Sequence, residues 1–147
     1  MFKILLALHL LFAVFAIGPL VHAATTAARG VRTGNGTATA YSARMLKIYS
    51  YASVLVIIVG FGLMSAKRHG KTVAEFGDVW IWLSVVLWLA AVALVLAVIV
   101  PTLDKATQLI AQQQSVVSLT GRVAAAGGVV GLIFAAIVFL MVYQPGS

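Results

Sequence analysis

The side chain best placed to do chemistry in this sequence is His9, which stands inside an uncharged apolar run from Ile4 to Ala24. An imidazole removed from water serves either as a metal ligand or as a hydrogen-bonding group toward a neighbouring helix. His22 lies further along the same run, about 20 Å away on a straight helix, so the two histidines cannot hold one iron. Met64, near the end of the next apolar run, comes level with His9 if the two runs form an antiparallel hairpin, and His/Met is an axial pair for haem b. Against that stands the ordinary use of a lone membrane histidine, a hydrogen bond to the next helix, with Met64 as apolar filling. The hydrogen bond is the expectation, and a haem held by His9 and Met64 is its alternative.

The other polar groups narrow the chemistry further. The three carboxylates, Glu75, Asp78 and Asp104, all lie outside the apolar runs. A carboxylate within the membrane is the usual carrier for proton-coupled antiport, and its absence from the runs argues against a small multidrug antiporter of similar size and helix number. The sequence has no cysteine, which removes disulfides, thiol catalysis and Cys-based zinc or iron–sulfur sites. It carries no phosphate-cradling glycine loop, no metal-binding pair at helical spacing and no Ser/His/Asp set with a buried acid. The expectation is a protein that is not an enzyme and holds no metal.

Four runs without Asp, Glu, Lys or Arg must position these groups: Ile4 to Ala24, Ile48 to Ala66, Val79 to Val100 and Val123 to Tyr143. Each matches the roughly 20 residues that cross a ~30 Å hydrocarbon core. Their hydrophobicity is continuous rather than alternating, which makes them helices and not barrel strands. The predicted fold is all-α, a polytopic four-helix transmembrane bundle of two helical hairpins. With 63% hydrophobic residues and no connection long enough for a separate soluble domain, residues 1–147 form a single membrane domain.

The connections alternate long, short, long over 25–47, 67–78 and 101–122. The first helix is expected to end at Gly18-Pro19 and the third at Val100-Pro101, while Arg44 and Arg122 precede the second and fourth, a weak internal repeat. Gly30, Gly34, Asn35 and Gly36 mark a turn, after which Thr37 or Thr39 is the expected helix cap. Asn35-Gly36-Thr37 has the form of a glycosylation acceptor, and a plain turn is the preferred reading. Leu103, Ala106, Ile110 and Val117 share a helical face, so that stretch extends the third helix or lies along the membrane surface.

Gly127, Gly128 and Gly131 let another backbone approach the fourth helix, with Gly60 and Gly62 of the second helix as candidate partners and a second protein as the alternative. Tyr49, Tyr51, Trp80, Trp82 and Tyr143 stand at span ends and are expected to anchor the two interfaces.

The net charge of +7 comes entirely from residues outside the runs, which points to lipid headgroups and away from nucleic acid. Arg29, Arg32, Arg44, Lys47, Lys105 and Arg122 lie on the long connections, against Lys3, Lys67, Arg68 and Lys71 on the other side. The positive-inside rule then places the long connections in the cytoplasm and both termini outside. Lys3 and the Val21-His22-Ala23 segment have the look of a cleavable leader. The first run, however, is longer than the roughly 7–15 apolar residues of such leaders, and a retained span is expected.

Leu8-His9-Leu10-Leu11, Ile17-Gly18-Pro19, Tyr49-Ser50-Tyr51 and Gly60-Phe61-Gly62 together resemble an uncharacterised family of four-helix bacterial integral membrane proteins, the domain-of-unknown-function type 2269. That family is in turn reminiscent of copper-resistance D-type membrane domains. The resemblance implies a four-helix fold in the bacterial inner membrane, and a first-helix histidine ligand that would map onto His9. The functional expectation is an accessory subunit of a larger membrane complex, respiratory or for envelope transport, whose partners are the lipid bilayer and other membrane subunits. The alternatives are a small-molecule or lipid transporter or channel, and a haem-binding electron-transfer subunit.

Overall fold

A chain in hydrocarbon must satisfy its own backbone, and the four apolar runs do so as helices. The computed structural model describes residues 2–65, 67–68, 71–72 and 79–143. Its helices are α1 (Lys3–Arg32), α2 (Gly36–Ser65), α3 (Val79–Ala111) and α4 (Val117–Tyr143), all long and apolar enough to cross a membrane. Their lipid-facing surface is apolar, with Ile4, Phe15, Ile58, Leu132 and Phe139 all exposed. On a soluble protein so large an apolar surface would drive association. The chain is a multi-pass membrane protein with an all-α four-helix bundle.

The helices outrun the apolar runs. The long connections expected over 25–47 and 101–122 are almost entirely helical, and the chain leaves the helix there only at 33–35 and 112–116. Hydropathy records the cost of placing Arg29, Arg32 or Arg44 in lipid, whereas Arg, Lys and Ala are all good helix formers. The segments carry the cations outward and bury Ala27, Val31, Ala43, Leu46, Leu103 and Ala106 inward. At 1.5 Å per residue α1 and α3 are about 45–50 Å long, so their turn-side ends project beyond a ~30 Å core.

Both turns close in the same way. The Gly34 N–H donates to the Val31 carbonyl at 3.1 Å and the Asn35 N–H to that of Gly30 at 3.0 Å. After α3, the Gln113 N–H reaches the Ile110 carbonyl at 3.0 Å and the Gln114 N–H that of Leu109 at 2.8 Å. These are paired Schellman bonds, with Gly34 at φ 66° and Gln113 at φ 57° supplying the left-handed residue. The cap of α2 is Asn35, whose Oδ1 accepts from the Ala38 N–H at 3.1 Å. Thr37 and Thr39, the expected caps, already lie within the helix.

A second feature is shared by the two halves. α1 widens into a π turn over Ala13–Ile17 and α3 over Val95–Ile99, each ending where Gly18-Pro19 or Val100-Pro101 begins. The Gly18 N–H reaches back five residues to the Ala13 carbonyl, and the Val100 N–H to Val95. Proline lacks an N–H and its ring crowds the carbonyl four residues back, and the wider register accommodates both defects. Gly18-Pro19 and Val100-Pro101, expected as helix ends, are instead places where the register widens and the helix runs on to Arg32 and Ala111.

Packing is closest at the turn end. Leu20, Val31, Leu46, Val95, Ile99, Leu103, Val123 and Val130 are fully buried in one core. There α1 packs through Gly18–Arg32 on both α2 and α4, and α2 packs on Val100–Ala111 of α3. Toward the opposite end Phe2–Phe12 of α1 packs on α2, while Val79–Leu94 of α3 packs on α4. A small second cluster joins these pairs, with Trp80 and Ile81 against Phe61 and Leu140. In the connection between α2 and α3, strand β1 (Lys67–Arg68) pairs antiparallel with β2 (Lys71–Thr72).

Candidate functional site

His9 faces α2, as the hairpin argument requires. A Cβ on Gly60 would stand 3.2 Å from His9 Cε1 and 3.5 Å from Nδ1, so the ring occupies the space that a side chain at position 60 would need. Nδ1 is buried and has no hydrogen-bond partner among the described residues. The Met64 side chain, the other half of the haem alternative, lies outside the described residues. Among the described residues no three His, Asp or Glu side chains gather as a metal site.

Gly62 is the lesser half of the same contact, with Leu5 Cδ2 4.0 Å from its notional Cβ. The glycines of α2 thus receive α1, not α4. The partner of α4 is also α1. A Cβ on Gly127 would collide with the Ala24 carbonyl oxygen and lie 3.0 Å from the carbonyl carbon, and one on Gly131 would lie 3.3 Å from Thr25 Cγ2. The pairing of Gly127 and Gly131 with Gly60 and Gly62, considered from sequence, is replaced by two separate contacts on α1. Gly128 meets nothing within 4 Å and faces outward. Small residues announce close approach, but their partner depends on which helices cross, and spacing alone does not carry that.

The seam between α2 and α3 holds polar groups that sequence reading noted singly but did not join. Trp88 Nε1 donates to Ser53 Oγ at 2.9 Å, and that hydroxyl donates to the Ser50 carbonyl at 2.6 Å. Ser50 Oγ is buried, with no partner among the described residues. Nearer the turns, Thr39 and Thr107 bring their hydroxyls to 2.7 Å, and Lys47 Nζ lies 3.8 Å from Asp104 Oδ2. Ser50 and Ser53 at helical spacing of three were the available signal for this seam. Trp88 gave none, because an apolar run offers no way to tell an inward tryptophan from a lipid-facing one.

The interfacial aromatics divide. Tyr51 (68% exposed), Trp82 (47%) and Tyr143 (73%) face outward as expected of anchors. Tyr49 is half-buried against the core. Trp80 is 7% exposed and belongs to the cluster with Ile81, Phe61 and Leu140, so its ring fills the bundle rather than the headgroup layer. Trp80 and Trp82, two residues apart, project from nearly opposite sides of the helix, and here one side is buried and the other exposed.

Comparisons with protein-family models, with curated proteins and with solved structures find no match to this chain.

Proposed function

We propose that this chain is a non-catalytic accessory subunit of a larger bacterial membrane assembly, respiratory or for envelope transport. The observation that carries the reading is the division of small residues on α4. Gly127 and Gly131 are taken up by α1, whereas Gly121 and Gly128 meet nothing within 4 Å and open outward together with exposed Ala124 and Ala125. In lipid, close packing of small faces is a main source of helix association, and this outer face suits a transmembrane helix of another subunit. His9, turned into the α1–α2 contact, then serves the fold rather than a haem.

Purification from native membranes in mild detergent tests the proposal. Stoichiometric co-elution with other membrane subunits is expected, with Gly128→Leu releasing the chain from its partners while it remains a folded bundle. A lone monodisperse monomer from native membranes overturns it. A second reading, passage of a small molecule or lipid, draws support from buried Ser50 and the Ser53–Trp88 bond between α2 and α3. It expects flux in proteoliposomes that falls on Ser50→Ala and Ser53→Ala.

A further inference from the structure

A groove of about 510 Å³ runs along the outside of the α2–α3 seam, at the level where α2 passes from its charged end into the apolar stretch beginning at Ile48. Its volume lies within the range of small-ligand sites. Arg44 and Lys47, three residues apart on one side of α2, line one wall, and Asp104, Thr107 and Gln108 line the other. Lys47 is partly compensated by Asp104 at 3.8 Å, a pair half open to solvent and so of little worth to stability. Arg44 has no carboxylate within ion-pairing distance among the described residues. The groove is therefore left with a net positive charge and a guanidinium whose fork of donors matches two oxygens of one phosphate.

The membrane-side mouth determines which phosphate. Ile48 lines it and is exposed, and Tyr51 lies exposed one turn deeper, so a ligand with its phosphate against Arg44 has an apolar surface running from it into the bilayer. We infer that this groove is a binding site for the phosphodiester headgroup of an acidic phospholipid. Arg44 grips the phosphate oxygens, Lys47 shares the charge from within its pair with Asp104, the Gln108 amide offers a further donor, and the acyl chains leave over Ile48. This is a defined seat with named contacts, beyond the diffuse attraction that any cationic membrane end exerts on anionic lipid.

The test compares retained lipid by native mass spectrometry after the purified full-length chain is mixed in detergent with equal amounts of phosphatidylglycerol and phosphatidylcholine. The wild-type protein is expected to retain phosphatidylglycerol preferentially. Arg44→Gln with Lys47→Gln should lower that retention roughly thirtyfold, the scale set by two cations at a headgroup. Arg29→Gln with Arg32→Gln removes the same charge from residues outside the groove and should leave retention unchanged. Ala40→Leu fills the groove wall without altering charge and should also lower retention, which keeps the test open if the double charge variant fails to fold. Equal losses in the two charge pairs, or no effect of Ala40→Leu, would overturn the site. Displacement of the lipid by millimolar inorganic phosphate would overturn the lipid assignment and make free phosphate the ligand.

Discussion

At Gly127 one hydrogen atom is all that fits between α4 and the Ala24 carbonyl. Gly127→Ala is expected to force the helices apart at a cost of about 1–3 kcal/mol, the usual range for overpacking. Gly128→Ala meets open space and should be neutral or stabilising by up to about 1 kcal/mol through helix propensity. Detergent-titrated unfolding of the two variants side by side measures the difference, and equal behaviour would remove Gly127 from the packing argument. His9 gives the second residue-scale prediction. With its ring packed against Gly60, His9→Ala should cost on the order of 0.6 kcal/mol, and the purified protein should show no Soret band. A Soret band lost in His9→Ala and kept in His22→Ala would replace the accessory reading with electron transfer.

At the scale of elements, the two turns are the same motif built from different residues. Gly34 adopts φ 66° freely, whereas Gln113 holds φ 57° against the crowding of its own Cβ. Gln113→Gly should raise stability by about 1 kcal/mol, read as a higher melting temperature in detergent, and Gly34→Ala should lower it by a similar amount. The four spans were legible because lipid imposes a length and a composition that a continuous apolar run displays directly. The helical extensions were legible only in fragments, such as the shared face of Leu103, Ala106 and Ile110, because charge ends a hydropathy run without ending a helix. The capping role of Asn35 was hidden behind two threonines that follow it, and the inward Trp80 behind the general preference of its ring for the interface. At the candidate site the His9 ring lies against α2. The choice of Gly60 as its neighbour, and of Ala24 as the neighbour of Gly127, depended on helix crossings that no local pattern encodes.

For the whole molecule, the helical extensions place Arg29, Arg32, Arg44, Lys47, Lys105 and Arg122 at one end with Asp104 as the one carboxylate there among the described residues. The positive-inside rule predicts that this end is cytoplasmic. Reporter fusions at Gly34 and after Tyr143 should then report opposite sides, with Gly34 cytoplasmic, and an inverted pair of signals would reverse the assignment. The contact of Ala24 with Gly127 has a further consequence, for the order of synthesis. The Ala24–Gly127 contact joins α1 to α4, so α1 emerges long before its partner exists. At ~5–20 residues per second the interval is on the order of ten seconds. Through that interval the nascent chain can settle α1 on α2 through His9 and Gly60, but the groove on α1 that receives Gly127 stays open to lipid or to the insertion machinery. Closure of the bundle thus waits on the synthesis of α4, and a ribosome stalled before α4 leaves the Ala24–Thr25 face of α1 without the partner that covers it.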